Sequence, residues 1–169
     1  MSIVETLKKH DIHSVWHFTD KNNLKSIEKY GIQSLYSIIT NGIEVSRFGA
    51  DDMSHNLDLR YGLDKYVHLA FIDDHPMYHV AKGRGSIITP VWIELDLALI
   101  FENTTIFSDQ VANASYAQRF DINSVEKMID FDMMHTAYNT QSRRQARKAE
   151  IMVSNEITID HILRIKYGK

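Results

Sequence analysis

Cysteine is absent from the 169 residues, which excludes a disulfide framework, a thiolate zinc site, an iron–sulfur cluster and a cysteine nucleophile. A chain without thiols suits a reducing compartment. Two prolines and seven glycines leave no linker at which to divide the chain, and no internal repeat is present. The length falls within the roughly 100–200 residues of one domain. With 44% apolar residues to fill a core, a single domain over residues 1–169 is expected. No run approaches the roughly 18 apolar residues that span a bilayer. The longest, residues 91–101, is broken by Glu94 and Asp96. The opening MSIVETLKKH does not read as a secretory signal, so the cytoplasm is the expected location, with no membrane partner. A formal charge of −3 excludes a globally basic nucleic-acid binder, so nucleic acid would have to be held by a local patch. Neither GxGxxG nor GxxxxGKS/T occurs, which removes the two common phosphate-cradling turns.

The residues that are present point to mixed secondary structure. A helix through about residue 9 is followed by a strand at 15–19 (VWHFT). Asp20 or Asn22 can cap a helix over 23–30, where Leu24, Ile27 and Tyr30 recur at helical spacing and Gly31 suits a left-handed C-terminal cap. Residues 39–65 show no sustained period and read as one long irregular segment, the kind that often forms a binding loop. Strands are expected at 66–71, at 86–97 with an interruption at Pro90, at 149–153 and at 162–167, and helices at 110–116 and 122–131. No repeating βαβ unit emerges, so the fold class is α+β rather than a doubly wound parallel sheet.

Nine histidines raise the question of a metal, but there is no HExxH, and His75 precedes a proline that disfavours a helical His75/His79 pair. No metal is expected. No serine sits in a GxSxG turn. Two other features carry more chemistry. His17 ends an apolar strand just before a helix with Asn23 in its first turn, a junction where backbone amides and a polar side chain can hold an anionic or carboxamide ligand. The bland reading is a hydrogen-bonded core histidine and an ordinary cap. Glu150 opens an apolar strand directly after Arg143, Arg144, Arg147 and Lys148. A carboxylate kept ionised there can stabilise a developing positive centre or accept a proton. The bland reading is a surface glutamate paired with an arginine, beside a solvated cationic helix face.

Taken together, HFT at Thr19, NLKSI from Asn23 with Gly31 after it, GLDKYVHLAF ending at Phe71, HPM from His75 to Met77 and AEIMV around Glu150 resemble the DarT family of DNA ADP-ribosyltransferase toxins. That resemblance implies the diphtheria-toxin- and poly-ADP-ribose-polymerase-like transferase fold, with split, mostly antiparallel sheets and flanking helices. It implies NAD as co-substrate, with His17, Thr19 and Asn23 around the nicotinamide and its ribose, and Glu150 as catalytic glutamate. The family arginine, which binds the pyrophosphate or polarises the acceptor, falls on Arg47, with Arg60 as the alternative. The segment before the glutamate corresponds to the family's substrate-recognition loop, which makes Tyr138, Arg143, Arg144 and Arg147 candidates for touching the acceptor. The family's strand usually reads YVPFYF. Here it reads YVHLAF, with His68 in place of a proline and Ala70 in place of an aromatic.

Cleaving the bond between nicotinamide and ribose places positive charge on the sugar, which a prealigned carboxylate stabilises more in the transition state than in the ground state. Glu150 could equally bind a ribose hydroxyl or take a proton from the attacking base. The acceptor implied is thymine in single-stranded DNA, since an open strand avoids the cost of extruding a base. RNA or protein acceptors, and a non-catalytic NAD or nucleic-acid binding module, are the alternatives. A macrodomain antitoxin is the partner that the family implies.

Overall fold

A computed structural model describes residues 2–50 and 52–167. Helix α1 (Ile3–Lys9) opens on a capping box in which Ser2 and Glu5 satisfy each other's backbone amides. Strand β1 (Ser14–Asp20) leads through a 3₁₀ turn, capped by Asp20, into α2 (Leu24–Tyr30). Then come β2 (Ile32–Gln33), α3 (Leu35–Asn41), α4 (Asp52–Tyr61), β3 (Tyr66–Ala70), α5 (Pro76–Gly83) and β4 (Pro90–Asp96). The second half holds β5 (Ile106–Ser108), β6 (Arg119–Phe120), α6 (Val125–Met128), α7 (Phe131–His135) and α8 (Gln141–Ala146). It closes with β7 (Glu150–Ser154), β8 (Glu156–Ile157) and β9 (Ile162–Tyr167).

Seven strands form one sheet in the order β6, β5, β7, β3, β1, β4, β9, and β2 pairs separately with β8. Every pairing among the described residues is antiparallel. The α+β expectation therefore holds. β1 pairs with β4, and β3 with β7, along their whole lengths, whereas β1 and β3 share the single register pair Trp16 with Ala70. The two halves of the sheet are thus joined near one point and part beyond it. Alternation along the strands makes two cores. Val15, Leu69 and Ile93 join the large cluster with Leu7, Phe107 and Ile151, while Trp16, Ala70 and Trp92 face Tyr78 and Phe18 on the opposite side.

The helix expected over 122–131 ends at Met128 and a separate α7 starts at Phe131, and α5, α8, β2, β5, β6 and β8 were not expected. Three further segments differ from the sequence expectation, each for a tertiary reason. Within 39–65, α3 runs on to Asn41 and α4 occupies ten residues, so the segment is not one irregular stretch. α4 buries none of its residues, with Met53 and Leu59 exposed, so it carries no apolar stripe for periodicity to detect. Residues 110–116 are turns, not a helix. There the Ala112 amide donates to Glu150 and its carbonyl accepts two bonds from the Arg119 guanidinium, so tertiary partners replace the helical ladder. The strand expected from residue 86 starts only at Pro90, because the amides of Ile88 and Thr89 are turned onto the Asp20 carboxylate. Gly31 has the positive φ expected, +73°, but with ψ −173° rather than a left-handed helical value. A Cβ there would fall 2.4 Å from the Ile157 carbonyl oxygen, on the strand that pairs with β2.

Candidate active site

Where β1 and β3 part, the ladder is replaced by a side chain: His17 Nδ1 lies 3.0 Å from the His68 carbonyl oxygen. That acceptor requires Nδ1 to carry the proton, leaving Nε2 as an acceptor in the neutral ring. Enclosure lowers the His17 pKa and keeps it neutral. A cavity of about 250 Å³ opens beside it, lined by His17, Thr19, Asn23, Arg47, His68 and Glu150 among others. Tyr138, Arg143, Arg144 and Arg147 do not line it.

Asn23 makes no capping bond to α2. It clasps a loop instead. Its Nδ2 donates to Thr19 Oγ1 at 3.0 Å and to the Arg47 carbonyl at 2.6 Å, while its Oδ1 accepts the Arg47 amide at 3.1 Å. The Arg47 guanidinium reaches the Gly85 carbonyl at 3.3 Å. Asp20, below it, is fully buried, and although burial alone would raise its pKa, three backbone amides and the charge of Arg47 hold it low. Arg60 lies on the exposed end of α4, stacked on Tyr61, and is not part of the cavity wall.

Glu150 heads β7, 7% exposed, opposite Ala70 on β3. Its Oε2 accepts from His68 Nδ1 and from the Ala112 amide, both at 3.0 Å. The other ring nitrogen of His68 stands 3.4 Å from the Leu63 carbonyl. With both nitrogens facing acceptors, the arrangement favours the imidazolium. Enclosure works against that charge, but the hydrogen bond and charge of Glu150, helped by Asp58, raise His68 to about 9. Burial would likewise push Glu150 up. The hydrogen bond and charge of His68 reverse this and hold it below the ordinary carboxylate range. Asp58 of α4 is pushed up by burial and takes a 3.0 Å bond from Asn113. His75 caps α5 by accepting the Met77 amide at Nδ1, so its proton sits on Nε2, a buried atom without a hydrogen bond, 3.6 Å from Glu150 Oε1. Burial keeps that ring neutral.

The basic segment lies elsewhere. Tyr138 is 77% exposed, and Arg144 is exposed with a bond to Asn139. Arg143 is half-buried on α8. Arg147, expected among the acceptor contacts, is tied to the Met134 carbonyl at 2.9 Å and ion-paired with Asp74. It holds the segment together rather than facing outward.

His68, Asp58 and the Ala112 amide were not among the residues singled out for chemistry. His68 stood out only as a replacement for proline. The signal was the period of two: His68 and Ala70 share a face of β3, so pairing Ala70 with Glu150 brings His68 alongside the carboxylate.

A split antiparallel sheet with a buried glutamate at its cleft is the arrangement that the resemblance to ADP-ribosyltransferases implied. Within that class, the model of DarT, described as ssDNA thymidine ADP-ribosyltransferase, matches residues 16–168, and the chain belongs to this family. Among solved structures it resembles Thermus sp. 2.9 DarT in complex with ADP-ribosylated ssDNA, with TM-score 0.73, 17% identity, and 92% of this chain and 81% of that one covered. Thermosipho africanus DarTG in complex with ADP-ribose aligns with TM-score 0.73 and 19% identity, over 90% of this chain and 43% of that one. Thermus sp. 2.9 DarT in complex with NAD+ gives TM-score 0.68 and 16% identity, over 92% and 81%. No curated protein matches the sequence. The described residues contain no helix long and apolar enough to cross a membrane.

Proposed function

We propose that this protein, a single domain, transfers ADP-ribose from NAD to thymine in single-stranded DNA, with Glu150 as its catalytic carboxylate. The supporting observation is a buried, ionised glutamate sharing one cleft with His17, Thr19, Asn23 and Arg47.

The cleft suits NAD on its own chemistry. His17 offers a lone pair at Nε2 and Thr19 a hydroxyl proton, since its oxygen already accepts from Asn23. These would hold the nicotinamide and its ribose, and the Arg47 fork would bind the pyrophosphate. Ile27, Leu35, Val45 and Phe48 supply apolar wall for flat rings. Bound NAD supplies an ADP-ribosyl group with nicotinamide as its leaving group. Glu150 then serves by its charge, which is already in place and needs no reorganisation as positive charge grows on the sugar. It can also receive the proton that the attacking base loses.

For the acceptor, Arg143 and Arg144 would meet backbone phosphates, and exposed Tyr138 would stack on a base for roughly 1–3 kcal/mol. The same reading makes the protein a toxin of the cytoplasm with a macrodomain antitoxin as partner. The test is mass spectrometry of thymine-containing DNA, matched RNA and protein incubated with NAD. A mass gain of one ADP-ribose on DNA is expected, lost in Glu150→Ala. Modification confined to RNA or protein, or undiminished transfer by Glu150→Ala, would overturn the assignment.

A further inference from the structure

We propose that His68 is a positioning residue for this transfer: its imidazolium, wedged between the Glu150 carboxylate and the Leu63 carbonyl, pins Oε2 of Glu150 and leaves Oε1 as the oxygen that acts on the ribose. The inference rests on the role given to Glu150 above.

The geometry is asymmetric. Both hydrogen bonds to Glu150, from His68 and from the Ala112 amide, fall on Oε2. Oε1 carries neither, and the Nε2 of His75 stands 3.6 Å from it, beyond bonding distance. Two donors on one oxygen fix the carboxyl plane, since rotating that oxygen away would break both bonds. The Ala112 donor is itself held, because Arg119 grips the carbonyl of the same residue. His68 is anchored on its far side by the Leu63 carbonyl.

Charge supplies the second reason. The groups around His68 are Glu150 of β7, Asp58 and His55 of α4, His17 of β1 and His75 at the head of α5. His17 and His75 are kept neutral by enclosure. Two carboxylates, Glu150 and Asp58, therefore line one cavity, and His68 is the cation that bonds Glu150 and feels the charge of Asp58. Without that cation, like-charge repulsion and burial would drive one of them to take up a proton. His68 directs the ionised state to Glu150.

The test compares the wild-type protein with His68→Leu and His68→Asn, measuring kcat and KM for NAD against pH with a thymine oligonucleotide. Leucine removes donor and charge, and asparagine returns an N–H near the Nδ1 position. Expected is an acidic limb of kcat moved toward neutral by at least about one pH unit in His68→Leu, partly restored in His68→Asn, with KM for NAD changed less than about threefold. A merely structural role would lower kcat evenly across pH, and that outcome, or a profile superimposing on wild type, would overturn the proposal. Independently of turnover, nitrogen NMR of the histidine rings should show both nitrogens of His68 protonated at neutral pH, and one released in Glu150→Gln. A neutral His68 ring would overturn the proposal even if His68→Leu failed to fold. Wild-type protein that transferred nothing to DNA would overturn the role together with the proposed function, while the NMR result would still report on the pair itself.

Discussion

Replacing Asn23 by alanine should open the wall of the cleft without unfolding the sheet. The side chain makes three hydrogen bonds, two of them to the backbone of Arg47, 24 residues away. At about 1 kcal/mol net for each bond, less what solvent returns to the half-buried Arg47 groups, the loss is about 2 kcal/mol. That corresponds to a roughly 30-fold shift in the opening equilibrium of the segment around Arg47. The cost falls locally because β1 remains paired with β4 along its length, whatever happens at residue 23. Hydrogen exchange reads it directly, since the Arg47 amide proton is the one that Asn23 accepts. Its exchange should accelerate about 30-fold while amides of β4 keep their rates, and NAD affinity should fall by up to the same factor as the open state becomes populated. An Arg47 amide that exchanges at the wild-type rate in Asn23→Ala would refute the claim that this clasp holds the loop.

Stability should also depend on pH with a definite sign. His68 is raised from 6.5 to about 9, so its contribution is full below pH 6.5 and is lost as the pH rises through about 9. The loss should be about 2–3 kcal/mol in urea titrations, allowing for solvent in the cleft, and should vanish in His68→Leu. A wild-type midpoint that stays flat over that range would contradict the ion pair. His17 and His75 are depressed by enclosure, so their contribution is present above 6.5 and declines as the pH falls. Gly31→Ala should cost about 2–4 kcal/mol, since positive φ and a Cβ 2.4 Å from the Ile157 carbonyl combine where backbone faces backbone. A melting temperature within a degree or so of wild type would exclude that clash. Removing the charges of Arg143 and Arg144 should weaken DNA binding and flatten its dependence on log salt by about 0.7 per lost phosphate contact. An unchanged slope would move the acceptor path away from α8.

The strands at the centre of the sheet were legible in the sequence because burial on both faces writes itself as apolar runs. β7 is the clearest case: Ile151, Met152 and Val153 are all buried, and EIMV reads as a strand in isolation. α4 was not legible, since a helix that buries nothing need show no period, and residues 110–116 were misread because their hydrogen bonds go to Glu150 and Arg119 instead of to each other. For the site, the short blocks around His17, Asn23 and Glu150 were enough to point to a family, while the arrangement that ionises the glutamate was not visible. By itself, then, the sequence determined the five longer strands β1, β3, β4, β7 and β9, their alternation between two faces, and which side chains are available for chemistry. Only the tertiary structure decided that β1 and β3 touch once and part, that Ala70 lies opposite Glu150, and that His68 meets a carboxylate 82 residues further on. The reason is physical: alternation is a local property of each strand, whereas the register between distant strands is set by the joint packing of every layer around them.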